Sequence, residues 1–151
     1  VTIREATDDD LPAIIALRRR WTAEDVGAEV DDPGFAERFT AWWEAERGRR
    51  RFWVAELHSP VGFANLSEFT RMPRPGRPPS RWGYISNVYV LPEHRDLGIG
   101  ARLLDTVVAD ARASGYVRLV LSPSERSKSF YARAGFDPAD GSLVLRTLVT
   151  E

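Results

Sequence analysis

Apolar positions change period along the chain, and the changes mark its elements. Val1 and Ile3 alternating with Thr2 and Arg4 predict a short opening strand. Thr7-Asp8-Asp9-Asp10 reads as a helix start, a hydroxyl followed by acids against the positive helix end, with Pro12 tolerated near the first turn. Leu11, Ile14, Ile15, Leu17 and Trp21 then recur at helical spacing. The acidic stretch 22–32 is expected as a loop or a broken helix. Asp32-Pro33 opens a second helix, in which Phe35, Phe39, Trp42 and Trp43 share a face and Gly48 is the stop. Segments 52–57 and 61–69 predict two strands joined through His58-Ser59-Pro60 as a hairpin. Residues 71–81 carry four prolines and a glycine, so they are expected as a loop. Residues 82–90 return to strand, with Tyr84, Ser86, Val88 and Val90 on one face and Ile85, Asn87 and Tyr89 on the other. A long helix follows, its core face Ile99, Leu103, Leu104, Val107, Val108 and Ala111, closed by Gly115. A strand over 117–121, a short helix over 124–134 ended by Gly135, and a last strand over 143–149 complete the reading. The order β-α-α-β-β-β-α-β-α-β predicts an α+β fold, a mixed and mostly antiparallel sheet flanked by helices. At 151 residues this is expected as a single domain, 1–151.

Composition narrows the chemistry. The chain has no cysteine, which excludes a disulfide framework, a thiolate metal site and a cysteine nucleophile. His58 and His94 are the two histidines and stand far apart, so no metal is expected, and both are expected at the surface. A net charge of −1 gives no electrostatic case for nucleic acid. No apolar run is long enough for a membrane helix and the first residues lack a signal-peptide layout, so the expectation is a cytoplasmic protein with no membrane partner. Charge is nonetheless segregated. Residues 22–46 hold eight acids and one arginine, and residues 47–81 hold eight arginines and two acids. Either the two balance across the fold as solvated surface, or the acidic run forms a wall that attracts a cationic substrate.

The chemistry-bearing stretch is Val88-Tyr89-Val90-Leu91-Pro92-Glu93-His94-Arg95-Asp96-Leu97-Gly98-Ile99-Gly100-Ala101. A strand ends, two glycines follow and a helix opens. Unpaired N–H groups at a helix start bind phosphate, glycines allow close approach, and Arg95 can add a fixed positive charge. The GxxxxGK[ST] loop of nucleotide hydrolases is missing, and so is the third glycine of a dinucleotide fingerprint.

Arg95-x-x-Gly98-x-Gly100, after a strand ending Val-Tyr-Val and Leu-Pro, resembles the acetyl-CoA pyrophosphate loop of the GCN5-related N-acetyltransferase superfamily. Leu119-Val120-Leu121, followed by Ser124 to Ser127 and then Phe130-Tyr131-Ala132-Arg133-Ala134-Gly135-Phe136, resembles that family's later strand and its Phe-Tyr segment. The resemblance implies acetyl-CoA as co-substrate and direct transfer of its acetyl group to a primary amine of a small molecule or peptide. The alternative is a non-catalytic acyl-CoA-binding module of the same fold. It further implies cofactor contacts at Val88, Tyr89, Val90, Arg95, Asp96, Leu97, Gly98, Ile99, Gly100, Ala101, Ser124, Ser127 and Tyr131. Tyr131 is the expected proton donor to the leaving thiolate, since a phenol with a pKa of ~10 is protonated at neutral pH. Two departures stand out. Asp96 sits where the family usually has glycine, and Ser124 sits where it often has asparagine. Family members vary most in the base, and Glu68 is the best acid near the expected cleft, with Glu24 and Asp25 as rivals. Trp21, Trp43, Glu24, Asp25 and Asn87 are candidates to line the amine pocket. A homodimer is left open.

Overall fold

The computed structural model describes residues 1–139, 141 and 146–148 of the chain. Four antiparallel strands, β1 (Thr2–Glu5), β2 (Arg50–Glu56), β3 (Pro60–Thr70) and β4 (Arg81–Val90), lie side by side in chain order. A fifth, β5 (Leu119–Val120), runs parallel to β4 and pairs with it only at Gly83 and Tyr84. Helices α1 (Leu11–Val26) and α2 (Phe35–Ala45) cover one face of the sheet. Helix α3 (Ile99–Ala113) and the short α4 (Lys128–Arg133) cover the other. The predicted last strand, 143–149, rests on residues that lie largely outside the described ones.

Strand alternation splits the core in two. Trp53, Ala55, Ala64, Leu66, Ile85 and Val90 pack under Leu103, Leu104 and Val107 of α3. Phe52, Val54, Phe63 and Tyr89 pack under Ile14 and Leu17 of α1. One irregularity sets the rest of β4. Asn65 pairs with Asn87 but Leu66 pairs with Ile85, so Ser86 is an extra residue, a β-bulge. The bulge overturns the simple alternation expected from sequence: Ile85 joins Val88 and Val90 on the α3 face, not Asn87 and Tyr89.

Helix α1 runs five residues into the acidic stretch and stops at Gly27, whose φ of 86° only glycine adopts easily. Its entry is a short 3₁₀ turn, Asp8–Asp10. There the Thr7 N–H donates to Asp10 Oδ2 at 2.8 Å, and Arg4 grips the same carboxylate through two bonds of 2.8 Å. The predicted strand 117–121 shrinks to two residues opposite Gly83 and Tyr84, with Val117 N–H also donating to Arg81 O at 2.9 Å. Among the described residues no helix is long and apolar enough to cross a membrane.

Candidate active site

The parallel partner of β4 ends at Tyr84, so the strand beyond it borders a gap. Leu91 N–H donates to Val61 O at 2.9 Å, so by the two-residue alternation Tyr89 and Asn87 also bond toward β3. Val88 and Val90 therefore turn their backbone groups into the gap. Arg95 Nε takes one of them, the Val90 carbonyl, at 2.9 Å.

The loop after β4 closes on this gap. A 3₁₀ turn at Pro92–His94 leads to Arg95, then Asp96 with φ 61° and Gly98 with φ 77°, and α3 starts at Ile99. The first intrahelical bond is Arg102 N–H to Gly98 O, 3.1 Å. The N–H groups of Ile99, Gly100 and Ala101 precede it, no side chain caps them, and no acid stands in the first turn. Helix α1, by contrast, is entered through three aspartates. The positive end of α3 is left open for an anion. Ile99, buried in the core, and Leu97, exposed, fix which way the turn faces. A Cβ on Gly100 would lie 3.5 Å from the Phe130 ring, an ordinary contact, so the fold itself leaves room there.

Asp96 is the only non-glycine residue with positive φ among the described residues. The family's usual glycine at this place thus has a backbone reason: the turn needs a left-handed residue, and aspartate is one of the few others that tolerate it.

Tyr131 lies on α4 and joins the α3-side cluster, with Phe130 5.0 Å and Phe136 5.9 Å away in edge-on contact. Its hydroxyl makes no hydrogen bond among the described residues. Burial pushes its pKa above the ordinary phenol value, which keeps the proton on at neutral pH. Ser124 is exposed and Ser127 half-buried, and the two are bonded to each other, Oγ to Oγ, at 2.9 Å.

The amine-side candidates separate. Glu24 reaches from α1 to hold Arg95 through two bonds, 2.6 and 2.8 Å, and accepts from Tyr89 Oη at 3.2 Å. Arg95 holds the Glu24 carboxyl below its usual range. Glu24 is therefore a brace between α1 and the loop. Asp25 is exposed beside it. Trp21 stacks on Tyr89 at 5.4 Å, and Trp43 turns away to bond Asp8 at 2.9 Å.

Glu68 is not brought to this group. Alternation along β3 places it with Ala64 and Leu66 on the α3 face, level with Gly83. There it accepts a short bond from Tyr116 Oη and pairs with Arg81 at 3.3 Å.

On the α1–α2 face lies a cleft of about 470 Å³ that sequence reasoning did not assemble. Phe39, Trp42, Phe52 and Phe63 form its apolar walls, and Arg18, Arg38, Arg50, Asn65, Ser86 and Asn87 its polar part. Asn87 was foreseen. The one sequence signal for the others is Asn65, an amide inside the otherwise apolar run 61–66. Among the described residues no carboxylate lines this cleft. Three acids of the 22–46 run are ion-paired, two of them to arginines of the cleft: Asp32 to Arg38, Glu46 to Arg50 and Arg49, while Glu24 holds Arg95.

Comparison with known proteins agrees with this fold. Residues 13–136 match the model of the acetyltransferase (GNAT) family, and the chain belongs to that family. A Clostridium acetobutylicum protein described as a predicted acetyltransferase, solved with acetyl-CoA, superposes with a TM-score of 0.74 at 24% identity, over 96% of this chain and 95% of that one. A GCN5-related N-acetyltransferase from Ralstonia eutropha JMP134 gives 0.73 at 27% identity, over 97% of each. A glucosamine 6-phosphate N-acetyltransferase of Trypanosoma brucei brucei is 34% identical over 76 residues, and the match spans half the length of each chain.

Proposed function

We propose that this chain is a one-domain acetyltransferase that moves the acetyl group of acetyl-CoA onto a primary amine of a small molecule or peptide. The observation that carries the reading is the uncapped, acid-free start of α3 beside the unpaired edge of β4. Acetyl-CoA brings the activated acetyl thioester. The N–H groups of Gly98 to Ala101 receive its pyrophosphate, and the backbone groups of Val88 and the Val90 N–H receive its extended arm as a strand would, the Val90 carbonyl being held by Arg95. Arg95, held by Glu24, keeps the loop in place.

The gap between β4 and β5 joins the two faces of the sheet. Cofactor enters from the α3 side and the amine from the α1–α2 cleft, where Asn87 and Ser86 of the bulge lie. Holding the two partners together removes much of the entropic barrier. Tyr131 keeps a proton at Oη for the leaving thiolate. Glu68 is too far along β3, and on the wrong face, to take the amine proton.

The test is thiol release from acetyl-CoA with a panel of amines. Amine-dependent release is expected from the parent. Tight acetyl-CoA binding with no release from any amine would instead favour a binding module.

A further inference from the structure

Resting on the transfer reading above, we infer that the acceptor amine carries an oxyanion group, a carboxylate or a phosphate, seated between Arg18 and Arg50 in the cleft beneath α2. Three observations carry this.

First, Arg18 is a cation without a carboxylate partner among the described residues. Its Nη1 donates to Thr22 Oγ1 at 3.1 Å, and its guanidinium lies 4.3 Å over the Trp21 ring. The ring contact holds the guanidinium at the cleft, and its remaining donors make no hydrogen bond among the described residues.

Second, Arg50 is built in. Its side chain is only 17% exposed. Nη1 is held by Asn65 Oδ1 at 3.0 Å and by Ser86 Oγ at 3.4 Å, and the guanidinium lies 5.0 Å from the Trp42 ring. Its Nε is buried without a hydrogen bond but forms an ion pair with Glu46 at 3.5 Å, a carboxylate that Arg49 shares, and no hydrogen bond holds its Nη2 among the described residues. A mostly buried guanidinium whose Nη2 makes no bond leaves a donor for an acceptor.

Third, the cleft's remaining polar groups are amides and a hydroxyl, while Arg38 is already neutralised by Asp32 through bonds of 2.5 and 3.2 Å. Arg50 shares Glu46 with Arg49, and Arg18 has no carboxylate partner among the described residues, so the cleft carries net positive charge and neutral donors. A purely cationic amine has nothing there to meet its charge. An amine that also bears an oxyanion places that group on the arginines and its nitrogen toward Asn87 and the gap. This reverses the sign that the acidic run in the sequence suggests.

The experiment uses matched pairs that differ only in the oxyanion: glucosamine 6-phosphate against glucosamine, and amino acids against their carboxamides. Binding is measured by calorimetry on the full chain, alone and saturated with coenzyme A. In at least one pair the anionic member should bind roughly ten- to a hundredfold more tightly, the range of a charge-assisted bond. The pair that shows it tells phosphate from carboxylate. Added salt should shrink the ratio. Arg18→Gln should bring it to within about twofold of one. Arg50→Lys, which keeps charge and loses the fork, should reduce it less, and covers the case in which Arg50→Gln does not fold. Equal affinities in both pairs, no binding by either, or an undiminished ratio in Arg18→Gln overturns the inference. Thiol release separates it from the parent reading. Turnover of neutral amines without an anionic preference sinks the anion site and leaves the transferase, whereas an anionic preference without any turnover does the reverse.

Discussion

Asp96 offers a clean test of how the phosphate loop is built. Its φ of 61° is left-handed, and no other non-glycine residue among the described ones shares that sign. An ordinary side chain pays about 1–2 kcal/mol in that region, with aspartate and asparagine paying less. Glycine removes the strain but returns about 0.5–1 kcal/mol as unfolded-chain entropy. Asp96→Gly is therefore expected to gain a few tenths of a kcal/mol, roughly, and Asp96→Ala to lose about 1 kcal/mol. For a chain of this size the two variants should differ by about 2–5 °C in melting temperature, with Asp96→Asn near the parent. The charge acts separately. A carboxylate about 5–8 Å from a phosphate costs roughly 0.5–0.8 kcal/mol in a water-like dielectric. Asp96→Asn and Asp96→Gly should then both bind acetyl-CoA about two- to fourfold more tightly at low salt, by calorimetry. If the alanine variant melts with the glycine variant, residue 96 is not left-handed. If only the glycine variant binds more tightly, flexibility and not charge is the cause.

Four further outcomes follow from the same geometry. Tyr131→Phe should keep acetyl-CoA affinity and lose about 10²–10⁴-fold in kcat, because the ring contacts remain and only the proton donor is deleted; a rate within twofold of the parent would assign that proton to water. Gly100→Glu should abolish acetyl-CoA binding while Gly100→Ala still folds, since a Cβ meets only the Phe130 ring at 3.5 Å and the obstacle is a charged chain at the helix start; unchanged affinity in the glutamate variant would move the cofactor elsewhere. Asp10→Asn should destabilise by about 1–3 kcal/mol, because the carboxylate is 8% exposed and satisfies Arg4 and the Thr7 N–H. Its folded pKa is lowered, first by the bonds from Arg4, so this contribution is complete above the unfolded aspartate value of about 3.9 and is lost as pH falls through the folded one; denaturation melts of parent and variant should converge in acid, and a constant difference down to the lowest pH would refute the pairing.

Local signals carried the elements and the loop. Helical spacing of Ile99, Leu103, Leu104 and Val107 fixed α3 and its core face, and the glycines at 98 and 100 marked a helix start that an anion can approach. Those are properties of neighbours within a turn or two, so the chain by itself states them. Strand faces needed more. The bulge at Ser86 exists only in the pairing of β3 with β4, and one extra residue decides that Ile85 faces α3 while Asn87 faces the cleft. Glu68, late on the strand 61–69, is the best acid near the cleft the sequence leads one to expect, and alternation along β3 places it against Tyr116 on the α3 face. The sign of the cleft was hidden for the same reason. Acidic and basic segments are separate in the sequence, but Glu24 meets Arg95 across the fold, Asp32 meets Arg38 six residues on, and Glu46 serves both Arg49 and Arg50, which leaves Arg18 without a carboxylate beside the acceptor space. Periodicity and turn chemistry act over a few residues, whereas the charge of a cavity is the sum over whichever side chains the packing of α1, α2 and β2 to β4 brings to it, and only the tertiary structure performs that sum.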